Sequence, residues 1–377
     1  MSPLLIYALT FITSLALALL GTPVVRKAAI RLGIVDQPNA GRFHISPTPL
    51  LGGIAIFVAA LAGMSLANPL HDYPLGAFIG ASMILLLGIV DDLYHIKPLL
   101  KLLGQIAAAA VLVLFGLIVE TTGSPIFDTA ITIFWVVGLT NAFNLLDNMD
   151  GLSSGIAAIA AFCFFVIGAQ AGQTITAGAA LALCGACLGF LHYNFASRPA
   201  RIFMGDTGSM LIGYLLAAIA VRLTYDSQPW ITPFVPIAIL GIPILDTTFV
   251  TFARPLGGRS PFQGGKDHLS HRLVAACALS PRKAVSLLWL AGLGLGLAGI
   301  AIVFRQIWIA IAAAALLSIF TTLFVILLLK KKSCSSADSD QKASLAEAPT
   351  AAKAWAAKGL IKLESAPGMD AKANDEI

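Results

Sequence analysis

Long apolar stretches run through this chain almost without pause, and they leave it few options. About eleven of them, at residues 4–24, 50–68, 75–90, 100–119, 128–145, 154–171, 175–195, 208–224, 231–250, 284–303 and 307–329, have the length and apolarity of a bilayer crossing. Only 11% of the 377 residues are charged and 58% are hydrophobic, against roughly a quarter charged in a soluble domain. In lipid, a backbone must satisfy its own hydrogen bonds, which favours helices. The expectation is an all-α integral membrane protein with a polytopic domain over residues 1–332 and catalytic loops on the cytosolic side. No basic residue precedes Arg26, so residues 4–24 are expected to remain as a helix and not to be cleaved as a leader. From Ser333 the composition turns to Ala, Lys, Ser, Asp and Glu, and residues 333–377 read as a disordered cytosolic tail. Within it, residues 351–365 also fit a short basic amphipathic helix on an anionic membrane.

The basic residues give these spans a direction. Seventeen Lys and Arg fall in the loops after spans 1, 3, 7, 9 and 11, whereas the other face has only Arg222 and Arg305. By the positive-inside rule the basic loops are cytosolic, the N-terminus is outside and the C-terminus is inside. The net charge of +5 therefore describes one membrane face, and a nucleic-acid partner is not expected. Cys184 and Cys187 have a redox-like spacing, but they lie within a span without a second ligand pair and read as small packing residues.

Polar chemistry gathers in the loops assigned to the cytosol. These are GIVDQPNAGRFHISPTPLLGG (33–53), DDLYHIKPLLK (91–101), NAFNLLDNMDG (141–151), HYNFASRPARIFMGDTGS (192–209) and RPLGGRSPFQGGKDHLSHRL (254–273). Asp91 and Asp92 close an apolar span, and adjacent carboxylates call for a cation or a proton between them. Asp147 and Asp150 share a face if their segment is helical. Asp206 precedes another span, where a helix-capping role is the structural alternative, and Asp246 ends span 9. Six acids near one interface exceed what caps and ion pairs ordinarily require, since acids at membrane depth are rare and mostly functional. Oxygen ligands with Asn beside them suit Mg²⁺, or Mn²⁺, better than zinc. His268, His271 and Arg272 lie in a Gly-rich basic loop with Arg259 and Lys266, a composition better suited to phosphates than to a metal. His44 fits a turn or a site equally well.

NAFNLLDNMDGL, the Asp-Asp pair at a span end, FMGDTGS and the His loop, in this order, resemble the polyprenyl-phosphate N-acetylhexosamine-1-phosphate transferase superfamily over about residues 33–273. DHLSHRL, with PTPLLGG upstream, is more similar to the GlcNAc-type initiators of O-antigen and teichoic-acid linkage-unit synthesis. The phospho-MurNAc-pentapeptide translocase of peptidoglycan synthesis has a run of three histidines, which Ser270 interrupts here. The resemblance implies Mg²⁺ held by Asp206 and Asn144, with Asp91 and Asp92 acting at the reacting phosphates. It also implies Lys101 on the lipid phosphate, Phe203 as a wall for uracil, Asp147 near the nucleoside, and His268, His271 and Arg272 on the pyrophosphate and sugar. Asp150, Asn194 and His44 are counted with the substrate-binding residues.

The reaction implied is attack by a polyprenyl (undecaprenyl) phosphate oxygen on the β-phosphorus of a UDP-N-acetylhexosamine in the bacterial plasma membrane, releasing UMP. Asp91 is the expected proton acceptor in direct attack, and a double displacement through a covalent aspartyl intermediate stays open. A homodimer is left open too. Two other readings carry less weight. A pentapeptide-sugar transferase differs in donor only. A cation-coupled transporter would place its acids near mid-membrane on paired repeats, and no repeat is visible. Asp150-Gly151-Leu152-Ser153-Ser154 does not continue as the CDP-alcohol phosphotransferase pattern would.

Overall fold

The computed structural model describes residues 2–37, 47–197, 199–223, 233–256, 258, 260, 265 and 267–304. All of these fall within one unit, Met1–Phe320. The expected span at 307–329, the tail from Ser333, and the side chains of His44, Arg259 and Lys266 lie outside the described residues.

Helices α1 (Pro3–Arg31), α2 (Gly52–Ala67), α3 (Leu75–Tyr94), α4 (Pro98–Leu114), α5 (Pro125–Leu146), α6 (Leu152–Gln170), α7 (Thr174–Leu191) and α8 (Gly205–Arg222) coincide with the first eight expected spans. The helices α9 (Phe234–Ile239), α10 (Gly241–Leu256), α11 (Leu269–Cys277) and α12 (Pro281–Val303) follow. Six helices among the described residues are long and apolar enough to cross a membrane, while α2 and α4 are shorter apolar helices. The chain is thus an all-α membrane protein. Among the described residues, the strands are a two-residue ribbon of β1 (Val35–Asp36) against β2 (Thr48–Pro49), with Val35 opposite Pro49.

Several helices start where local chemistry dictates. Pro is at the first turn of α1, α4, α5 and α12, where its missing N–H would have no helical acceptor. Ser2 and Ser280 cap α1 and α12 by accepting from Leu5 and Lys283 N–H, as expected of serine there. The expected continuous span at 231–250 is instead divided between α9 and α10 at Leu240. Pro243 cannot donate to the carbonyl of Ile239, so the ladder must open there, and Pro is tolerated once a new helix begins.

Helices α6 and α7 form the centre, with 72% of their apolar windows buried, whereas α1 buries 17% and turns most of its surface outward. Around them α1 packs on α2 and α7, α8 packs on α3 and α5, and α12 packs on α6 and α9. This antiparallel wrapping brings the C-terminal ends of α3, α5 and α7 to the same end of the bundle as the N-terminal ends of α4, α6 and α8. The polar loops of the sequence therefore converge.

Candidate active site

The turn between α3 and α4 is tight. His95 takes a left-handed conformation at φ 52° to end α3, and Pro98 opens α4. Lys101 is thereby held one turn inside α4, facing the last turn of α3. A cation in the first turn of a helix opposes the helix dipole, and two carboxylates offset that. Lys101 Nζ donates to Asp91 Oδ2 at 2.7 Å and also to Asp206 Oδ2. Asp91 Oδ1 accepts the Ile96 N–H at 2.9 Å, so both of its oxygens are engaged. Asp206 Oδ1 accepts from Asn144 Nδ2 at 2.7 Å, and that amide nitrogen lies 3.0 Å from Ser209 Oγ. The side chains of Asp91 and Lys101 are 9% and 16% exposed and that of Asp206 33%. Asp206 is the more reachable of the two acids.

Asp92 is engaged differently from its neighbour. Its Oδ1 accepts the Asp206 N–H at 2.8 Å, and its Oδ2 accepts the Thr207 N–H at 3.2 Å and the Thr207 hydroxyl at 2.6 Å. The first N–H groups of a helix have no partners within it, and Met204 at the start of α8 offers no side-chain cap. Asp92 supplies that cap from α3 and so fixes the backbone that carries Asp206.

Glycines make this approach possible. A Cβ on Gly53 would fall 2.3 Å from Gly208 Cα, and one on Gly88 would fall 2.4 Å from Thr207 Cα. At these two points the start of α8 meets α2 and α3 backbone to backbone. The chain just before it runs beside the PTPLLGG segment: Phe203 N–H donates to Pro49 O at 2.8 Å, and Phe203 O accepts from Gly52 N–H at 3.1 Å. Phe203 is half-buried on this short pairing.

Helix α5 ends at Leu146, so Asp147 and Asp150 lie in a turn, and the shared helical face does not form. Burial, then the charges of Asp206, Asp150 and Asp92, push the Asp147 carboxyl well above the usual range. Asp150 is exposed. Asn194 is buried, in a π-helical turn after α7 (His192–Ala196). Its Oδ1 accepts the Gly151 N–H at 2.6 Å and its Nδ2 donates to Ile202 O at 3.1 Å. It ties the loop after α5 to the segment leading into Asp206.

The His loop forms a second group. Helix α10 buries Asp246, Phe249, Val250, Ala253 and Arg254, at three- and four-residue spacing along one face. Asp246 Oδ2 meets His268 Nδ1 at 2.7 Å, and Asp246 Oδ1 accepts the Leu269 N–H at 2.7 Å. A carboxylate on Nδ1 holds the neutral-ring proton there and leaves Nε2 as the acceptor. Arg254 and Asp267 form a buried two-pronged pair at 3.1 and 3.0 Å. Arg272 donates from Nε to Asp267 O at 3.0 Å and lies 4.6 Å from the Phe249 ring centre. His268 and His271 have ring centres 6.3 Å apart. Ser270 Oγ donates to Asn148 Oδ1 at 2.5 Å, joining this loop to the one after α5.

The sequence marks Asp246 as one of six acids, without giving it a role, and singles out neither Arg254 nor Asp267. Their spacings of 22 and 13 residues from their partners match no local pattern. The signal available was a buried-length apolar helix carrying an acid and a base on its apolar face.

The donor set can be tested against a metal. Among the described residues no three His, Cys, Asp or Glu side chains form a metal-holding group. Asp91 and Asp206 nevertheless offer hard oxygens to one cation, the Lys101 ammonium, and Asn144 sits beside them with its amide nitrogen on Asp206. That number and kind of donor fits Mg²⁺, which takes one or two protein oxygens and completes its shell with water and phosphate.

The sequence profile described as glycosyl transferase family 4 matches residues 74–224, the span that carries Asp91, Lys101, Asn144 and Asp206. The chain is 35% identical, over 320 residues, to a probable undecaprenyl-phosphate N-acetylglucosaminyl 1-phosphate transferase of Bacillus subtilis (strain 168), covering 82% of this chain and 88% of that protein. It is 33% identical over 327 residues to a decaprenyl-phosphate N-acetylglucosaminephosphotransferase of Mycolicibacterium smegmatis, covering 76% of this chain and 80% of that protein. An undecaprenyl-phosphate alpha-N-acetylglucosaminyl 1-phosphate transferase of Escherichia coli (strain K12) is 29% identical over 282 residues, 71% of this chain and 76% of that protein. With this coverage, and with the acid–lysine–asparagine cluster inside the matched span, the chain belongs to glycosyl transferase family 4, among the polyprenyl-phosphate N-acetylhexosamine-1-phosphate transferases.

Proposed function

We propose that this protein transfers GlcNAc-1-phosphate from UDP-GlcNAc to a polyprenyl phosphate, the first step in building a cell-surface glycan. The observation that carries the reading is Lys101 shared between Asp91 and Asp206 at a single end of the bundle. A cation set between two acids, beside an Asn and the start of α8, is suited to gather two phosphate-bearing substrates. The names of the relatives supply the sugar and the lipid.

An oxygen of the lipid phosphate attacks the β-phosphorus of the donor. The bond from that phosphorus to the bridging oxygen breaks, and UMP leaves with the electron pair. Lys101 orients the lipid phosphate as a point charge, and Asp91 accepts its proton when the phosphate arrives protonated. Asp206 and Asn144 would hold Mg²⁺, which when bound offsets phosphate charge as in other phosphoryl transfers. Asp92 keeps the start of α8 in place. His268, oriented by Asp246, presents Nε2 to the donor's pyrophosphate and sugar together with His271 and Arg272. Phe203 walls the uracil and Asp147 lies near the nucleoside.

We infer that this end of the bundle faces the cytosol from a bacterial plasma membrane, with about eleven crossings and an external N-terminus; the lysines and arginines of its loops support that reading. The test uses purified protein, polyprenyl phosphate and a panel of UDP-sugars, read as UMP release with and without Mg²⁺. UDP-GlcNAc should turn over and UDP-MurNAc-pentapeptide should not, since Arg272, His268 and His271 crowd the sugar side. Comparable turnover of the pentapeptide donor would move the protein to peptidoglycan synthesis, and no UMP release from any UDP-sugar would end the reading.

A further inference from the structure

The polar cluster at Asp206 has a second layer beneath it. Gln105 stands four residues beyond Lys101 in α4, Met210 four residues beyond Asp206 in α8, and Asn141 three residues before Asn144 in α5. Residues three or four apart share a helix face, and α4 and α8 start at the end of the bundle where α5 finishes. The three lower residues therefore lie one turn deeper, each below a member of the cluster. Asn141 Nδ2 donates to Gln105 Oε1 at 2.5 Å, and Gln105 Nε2 lies 3.4 Å from Asn141 Oδ1 and 3.3 Å from Met210 Sδ. Asn141 Nδ2 also donates to Val137 O at 2.9 Å, one turn further down α5. Gln105 is 1% exposed, so its amide is committed to these contacts.

Two amides buried among apolar helices are costly unless each meets the other, and an apolar pair would carry no such cost. What an apolar pair cannot do is choose a register. Apolar surfaces slide past one another with little penalty, whereas a reciprocal amide pair closes in one alignment, as a single buried Asn does in a coiled coil. The upper contacts run from Lys101 of α4 to Asp206 of α8, and from Asp206 to Asn144 of α5. The lower pair joins α4 to α5 directly. We propose that Gln105 and Asn141 are positioning residues for the transfer reaction, an inference that rests on the function proposed above. Their amide pair fixes the register of α4 against α5, and with it the meeting of Lys101 and Asn144 on Asp206.

The experiment compares the full chain with Gln105→Met, Asn141→Leu and the double variant, each purified in detergent. Thermal unfolding reports the packing. Brief acylation of Lys101 relative to the exposed Lys97, counted by mass spectrometry, reports whether the two carboxylates still hold the Lys101 ammonium, and it needs no substrate. UMP release from UDP-GlcNAc with polyprenyl phosphate gives kcat and KM. Each single variant leaves one amide without its partner, so its unfolding temperature should fall. Removing both amides is close to neutral for stability, so the unfolding temperature should return in the double variant. Lys101 should nevertheless label faster there than in the original chain. The kcat should stay down by about tenfold or more with the KM for UDP-GlcNAc little changed, since a misplacement of about 1 Å can cost about 10²-fold. A double variant that regains stability, slow Lys101 labelling and kcat together would make the pair a packing feature and overturn the proposal. Gln105→Met exchanges side chains of similar length, so it reports even if the double variant fails to fold, and unchanged Lys101 labelling in it would equally overturn the proposal. If the original chain released no UMP from UDP-GlcNAc, the proposed function would fall, and the labelling would still decide whether the pair sets the register.

Discussion

Asp92 is a positioning residue, and its contacts say how large its effect should be. Its carboxylate accepts two backbone N–H groups and the Thr207 hydroxyl. Hydrogen bonds to a charged group contribute about 1.5–3 kcal/mol each. Asp92→Asn keeps one oxygen but sets an NH₂ where an acceptor stood, so at least one of these bonds becomes donor against donor. The expected loss is about 2–4 kcal/mol at the start of α8, enough to displace Asp206 without unfolding the bundle. Thr207→Val is the gentler companion, because it removes the hydroxyl and keeps the shape, for about 1.5–3 kcal/mol. Thermal unfolding and UMP release measured on the two single variants and on the double variant form a cycle. Because both changes act on one contact, their effects should be strongly non-additive, and kcat should fall in each while the KM for lipid moves little. An Asp92 that touched substrate directly would behave otherwise. Thr207→Val would then be silent in turnover, Asp92→Asn would leave the unfolding temperature unchanged, and the two changes would add. That pattern would refute the assignment.

Three further outcomes are expected. Asp206→Asn should insert and fold but lose at least ~10²-fold in turnover, the scale of a lost central electrostatic group; near-normal Mg²⁺-dependent activity would leave Asp206 as a structural residue only. Asp246→Asn should raise the KM for the UDP-sugar more than it lowers kcat, because it frees His268 and uncaps Leu269 N–H, and an unchanged KM would remove His268 from donor binding. For the topology, a cysteine at Ser124 should react with an impermeant thiol reagent added outside intact cells and one at Ser260 should not; the reverse labelling would put the site on the wrong side for a nucleotide sugar.

The membrane class and the site's location were legible because both rest on a contrast that composition displays. Acids are so unwelcome between apolar spans that Asp91, Asp92, Asp147 and Asp206 announce themselves. Which acid does what was less legible. Asp91 and Asp92 are neighbours in sequence, yet one faces Lys101 and the other caps α8, and only the packing of α3 against α8 separates them. Asn194 is counted with the substrate-binding residues from the resemblance, and only the fold shows that its amide also staples Gly151 N–H to Ile202 O. The division at Leu240 was legible in principle from Pro236 and Pro243, but the apolar run through residues 231–250 outweighed them. His268 with Asp246 and Arg254 with Asp267 depend on how α10 faces the rest of the bundle, which no local spacing encodes.

The contact of Gly53 with Gly208, and of Gly88 with Thr207, also governs how motion can reach the site. Where side chains intervene between helices, a small displacement is absorbed by rotamer adjustment and fades within a contact or two. Here backbone rests on backbone, so no compliant layer separates α2 and α3 from the residue next to Asp206. A shift of either helix at these points therefore bears directly on the backbone beside Asp206. The joint is stiff in compression and has no adjustment of its own. Changing the lipid chain length around the protein should therefore change turnover, and equal turnover in short-chain and long-chain bilayers would refute this coupling.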